Sequence, residues 1–68
     1  STRVNPHKVA KIEKEIERLN AEKAKLETKM ADPDFYKDAL RAADAQKSYA
    51  TIVSQLEEQE ELWLTVNG

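Results

Sequence analysis

Apolar positions recur along the first part of the chain as Val9, Ile12, Ile16, Leu19, Lys23, Leu26 and Met30, in alternating steps of three and four, with one lysine standing in the row. Such steps keep every member on one face of an α-helix, and a face sustained over this many turns lies against another helix. A second row follows: Ala42, Ala45, Tyr49, Ile52, Leu56, Gln59, Trp63 and Val66, broadened by Val53 and Leu62. Between the rows stands Asp32-Pro33-Asp34, the strongest punctuation in the chain. The pattern predicts an all-α fold, a two-helix antiparallel coiled-coil hairpin. Helix one covers about 6–31, the turn about 32–38 and helix two about 39–65.

Folding the rows together fixes a register. Met30 faces Ala42, Leu26 faces Ala45, Lys23 faces Tyr49, Leu19 faces Ile52, Ile16 faces Leu56, Ile12 faces Gln59 and Val9 faces Trp63. The numbers of facing residues add to 71 or 72 throughout, as an antiparallel pair requires. Small alanines near the turn let the helices approach closely there, and large side chains fill the open end. Lys23 and Gln59 are polar intrusions of the kind that set register at some cost in stability. Lys23 is placed to lay its methylenes on the Tyr49 ring and carry its ammonium outward.

The ends of the helices are marked too. Asn5 before Pro6 is a helix start, with the Asn5 side chain placed to accept from the backbone N–H of His7 or Lys8. Asp32 caps a new helical start at Pro33, with Asp34 in its first turn, where a carboxylate meets the helix dipole favourably. Phe35 follows and is expected to plug the closed end of the hairpin near Met30. On helix one, Glu15–Arg18 and Glu22–Lys25 are favourable pairs at helical spacing.

Composition narrows the function classes. The chain has 68 residues, no cysteine, and a single glycine at its last position. That excludes disulfides, thiolate zinc sites, phosphate-cradling glycine loops and dinucleotide fingerprints. No run of apolar residues is long enough to span a membrane, and a cytoplasmic location is expected. The chain begins at Ser1 without a methionine and reads as a piece of a larger protein. His7 is the only histidine and has no second imidazole to share a metal. Ser48 and Ser54 lack a neighbouring base, and the turn aspartates have capping to do. No catalytic residue and no metal site is expected.

The formal charge of −2 hides an asymmetry. Residues 1–30 hold eight Lys or Arg against five Glu, and residues 31–68 hold three against eight acids. Opposite arms favour folding back on each other, and the register sets Lys8, Lys11 and Lys14 beside Glu57, Glu58, Glu60 and Glu61. Arg3, Lys8, Lys11, Lys14, Arg18, Lys25 and Lys29 are candidates for a basic stripe. Those outside the seam read as spread over two flanks with glutamates between them. That is a diffuse footprint for nucleic acid, with no stacking platform beside it.

Ala31-Asp32-Pro33-Asp34-Phe35-Tyr36 after a charged heptad helix, followed by Leu56-Glu57-Glu58 and Glu60-Glu61-Leu62-Trp63, resembles the C-terminal coiled-coil domain of ABC-F proteins, including the Uup-type tail. The start at Asn5-Pro6 before Ile12-Glu13-Lys14-Glu15-Ile16-Glu17 fits as well. The resemblance covers nearly the whole chain, and its most specific part is the six-residue turn. It implies a hairpin appended to a soluble tandem ATPase, with ATP and Mg in the parent's modules and no cofactor in the hairpin. It implies partners among the ATPase modules of the same protein, ribosomal RNA, the ribosome or DNA, the last favoured by the Uup-type tail. Under that reading the tip is the contact surface, through Lys25, Lys29, Lys37 and Arg41. The acidic finish from Glu57 to Glu61 argues against strong DNA binding by the open end. Two other readings stand beside it. One is a protein-docking or self-associating hairpin, supported by Leu40 and Leu64 projecting off the seam. The other is the tRNA-contacting C-terminal arm of valine–tRNA ligase, whose turn lacks the Asp-Pro-Asp-Phe-Tyr form.

Overall fold

The computed structural model describes residues 5–67. Two helices, α1 (Pro6–Met30) and α2 (Ala39–Asn67), run antiparallel, joined through a short 3-10 helix at Pro33–Lys37. Cα extents of 56 × 14 × 13 Å describe a rod two helices thick. In such a rod a side chain has one partner arm and no second layer, so burial is confined to the strip between the helices.

The start of α1 follows from its sequence. Asn5 is extended, and its side-chain oxygen accepts from the backbone N–H of His7 at 3.0 Å and of Lys8 at 3.3 Å. Two of the amides that a helix start leaves without partners are thereby satisfied, and Pro6 takes the first helical position, where no N–H is needed.

Proline also explains the end of α1. Ala31 is still in the right-handed helical region, and its N–H reaches Glu27 O. Asp32 is extended at φ −80°, ψ 121°, as the ring of Pro33 demands of the residue before it. Its carboxylate then accepts from the Asp34 N–H at 3.0 Å. The piece it caps is a single 3-10 stretch and not the start of the second long helix. Asp38 is extended again at φ −103°, ψ 102°, and its carboxylate accepts from the Arg41 N–H at 3.1 Å. The bend is therefore two extended, capping aspartates around one short helical turn. Among the described residues it needs no positive φ, which accounts for a tight reversal without glycine.

Among the described residues five side chains are buried: Ile12, Leu19, Ala45, Ile52 and Leu56. Leu19, Ile52 and Leu56 form the centre, with Ile16 and Leu26 packed against it. Val9, Lys23, Met30, Ala42, Tyr49, Gln59, Trp63 and Val66 are half-buried around it. Leu62 is exposed. The Lys23 ammonium lies 6.0 Å from the centroid of the Tyr49 ring, so residues whose numbers add to 72 face each other at mid-seam.

Candidate functional site

Two rings tie the arms together by polar contacts. The Tyr49 hydroxyl donates to Glu27 Oε2 at 2.7 Å, and the Trp63 indole N–H donates to Glu13 Oε2 at 3.0 Å. Glu13 and Glu27 are two heptads apart, as are Tyr49 and Trp63, so one bridge is used twice along the rod. Each ring buries its body in the seam and carries its polar end one turn further along α1, where a carboxylate receives it. The carboxylate of Glu27 holds the Tyr49 hydroxyl protonated to higher pH than an ordinary tyrosine, with partial desolvation adding to the effect.

Among the described residues the ion pairs are all local. Arg18 bonds Glu15, one turn back, and Glu22 at 3.3 Å, one turn on. Glu22 therefore pairs with Arg18 and not with Lys25. The bond to Arg18 holds the Glu15 carboxyl below the usual carboxylate range and pushes the guanidinium up. Lys23 approaches Glu27 at 4.0 Å, and Lys37 meets Asp34 at 3.0 Å. Among the described residues no ion pair joins the arms. Lys8, Lys11 and Lys14 thus make no pair with Glu57, Glu58, Glu60 or Glu61. Lys8 and Lys11 border a groove with Gln59, Leu62 and Val66 instead. The physical reason is side: Lys8 and Lys11 flank one side of the seam with Leu62 and Val66, whereas Glu60 flanks the other side with Leu64.

At the closed end, Lys25, Lys29, Lys37 and Arg41 are all exposed. They alternate with Glu27, Asp32, Asp34 and Asp38, so residues 25–41 carry no net formal charge. The acids are nevertheless committed. Glu27 accepts from Tyr49, Asp32 and Asp38 cap, and Asp34 holds Lys37. Lys25, Lys29 and Arg41 have no carboxylate within 4.0 Å among the described residues. Phe35 and Met30 are half-buried at this end, and Pro33 is exposed. Tyr36 stands edge-on to Phe35 with centroids 5.5 Å apart and remains 49% exposed. The sequence does not single out Tyr36, because the 3-10 turn that sends adjacent residues to different sides shows only in the structure.

The basic residues of α1 are also more ordered than two flanks. On a regular helix Lys11, Lys14, Arg18, Lys25 and Lys29 fall within an arc of about 60°, about 130° round from the seam. All five are exposed. They form one outward row about 27 Å long, and Lys11, Lys14 and Arg18 border a shallow groove with Glu15. The row steps by three, four, seven and four, so its signal was present in the spacing. Arg3 lies outside the described residues.

Among the described residues there is no cluster of His, Asp or Glu placed to hold a metal ion. None of the described helices is long and apolar enough to cross a membrane. No curated protein and no solved structure matches the chain. Its sequence does match the ABC transporter C-terminal domain over residues 3–67. That match, spanning nearly the whole chain and agreeing with a helical hairpin built on the Asp-Pro-Asp-Phe-Tyr turn, makes this chain a member of the ABC transporter C-terminal domain family.

Proposed function

We propose that this chain is the non-catalytic C-terminal arm of a cytoplasmic ABC-F-type ATPase, and that its closed end contacts the phosphate backbone of ribosomal RNA or DNA. The observation that carries the reading is the set of unpaired cations. Among the described residues, Lys25, Lys29 and Arg41 are exposed without a carboxylate partner, whereas the acids among them are occupied by capping, pairing or a tyrosine hydroxyl. Lys11, Lys14 and Arg18 continue the line from Lys25 and Lys29 up α1. Tyr36, exposed beside Lys37, supplies a ring on which an unstacked base can rest.

Contacts of this kind release counterions, so affinity falls with salt by about 0.9 logarithmic units per decade for each phosphate engaged. Binding of the chain to an RNA hairpin and to a DNA duplex, each over a range of salt, tests the reading. The expected slope is about −3 for three contacts, lowered by about one for each of Lys25→Glu, Lys29→Glu and Arg41→Glu. Lys47→Glu, further along α2 from the tip, serves as control. Unchanged affinity in the three reversals would remove the tip from the contact. Preference between the RNA and the DNA arm decides the substrate.

A further inference from the structure

The hairpin has a second surface, at its open end, with the opposite character. Ile16, Trp63 and Leu64 line a groove of about 440 Å³ closed on its flanks by Glu13 and Glu60. Leu64 is 63% exposed, a high value for a leucine on a helix that has a partner. On α2 the residues three, four and seven places before it are Glu61, Glu60 and Glu57, all exposed and all on the Leu64 side of the helix. On α1, Glu17 stands one turn from Glu13 on the same side. Among the described residues no lysine or arginine borders the groove. The groove on the opposite side of the seam, by contrast, has Lys8 and Lys11 on its rim.

We propose that the Ile16–Trp63–Leu64 groove docks a helical protein segment that presents an apolar side chain flanked by lysine or arginine. The apolar floor calls for an aliphatic or aromatic anchor, and the acidic rim calls for cations on either side of it. Trp63 suits the floor because its indole N–H is already held by Glu13, so the ring is positioned before any partner arrives. Nucleic acid is a poor occupant, since its phosphates would meet a ring of carboxylates. A second copy of this chain is also a poor one. Its outward basic row carries only Ala10 and Ala21 on its flank, and its exposed Leu40 has the exposed Asp44 one turn on along the same face, a carboxylate that the acidic rim would repel. The inference does not depend on what the closed end touches.

Trp63 is the only tryptophan, so its fluorescence reports the groove directly. The test titrates the chain with an amphipathic peptide of about 16 residues, one leucine face flanked by lysines, and with a twin carrying glutamates in their place. The lysine peptide is expected to shift Trp63 emission saturably, with a Kd of about 100 µM. The glutamate twin should give no saturable shift. Leu64→Gln and Glu60→Lys should each weaken binding by about tenfold, with helix content by circular dichroism unchanged because both side chains are exposed. Equal response to both peptides, or an undiminished response in Leu64→Gln, overturns the proposal. So does a concentration-dependent doubling of mass that Leu64→Gln abolishes, which would give the groove to a second copy.

Discussion

Leu19 is 1% exposed and is the largest side chain taken fully out of water. It lies against Ile52 and Leu56, with Ile16 and Leu26 on its own helix. A rod two helices thick cannot collapse around a cavity from a third side. Leu19→Ala is therefore expected to cost about 3–5 kcal/mol, enough to unfold much of a chain this small at room temperature. Urea denaturation followed by circular dichroism measures it. Leu40 is the opposite case. At 79% exposure its change to glutamine should leave stability within about 0.5 kcal/mol. The difference between these leucines was legible in the sequence, because Leu19 keeps step with the heptad row and Leu40 does not. The polar ends of the rings were not. Facing-residue arithmetic pairs Trp63 with Val9 and Tyr49 with Lys23, but a ring is long enough to send its N–H or O–H a further turn along the partner. Glu13 and Glu27 are found only when the reach of the side chain is counted along with the position of its backbone.

At the scale of elements, the turn and the ring bridges carry the specificity that apolar seams lack. Asn5, Asp32 and Asp38 each satisfy backbone N–H groups at the start of a helical piece. Replacing Asn5 or Asp38 by alanine is expected to cost about 1 kcal/mol each, read as a fall in melting temperature of about 4–8 °C. Both caps start long helices. The Asn5 cap was plain from Asn-Pro. The Asp38 cap was not, because Asp32-Pro33 offers an equally good start six residues earlier; only the extended backbone at Asp38 shows that the first start ends after one short 3-10 stretch. The Tyr49–Glu27 bridge gives a test in pH. Its hydrogen bond raises the folded-state pKa of the tyrosine above the unfolded value. The stabilisation is thus fully present below the ordinary tyrosine pKa of about 10 and is lost as pH rises through the folded value. Glu27→Gln is expected to bring Tyr49 ionisation to lower pH, followed by absorbance at the phenolate band, and to flatten the loss of stability on the alkaline side.

For the whole molecule, the decisive fact is where the charges do not meet. One arm is basic and the other acidic, and the simplest expectation is that they attract. Yet every ion pair among the described residues lies within a helix or within the turn. The basic row of α1 and the glutamates Glu57, Glu58, Glu60 and Glu61 of α2 are exposed on a rod 13–14 Å across between Cα extremes, more than a Debye length at physiological salt. Attraction across that distance adds little, so the asymmetry is available for partners. This has a consequence that separates folding from binding in one series of measurements. Raising sodium chloride from about 0.05 to 0.5 M should move the melting temperature by less than about 4 °C, under about 1 kcal/mol. Over the same range, binding of a polyanion through three cations should weaken by more than two orders of magnitude. If instead the melting temperature fell steeply with salt, the arms would be holding each other by charge, and the cations of α1 would have to leave the acidic arm before they could reach a phosphate.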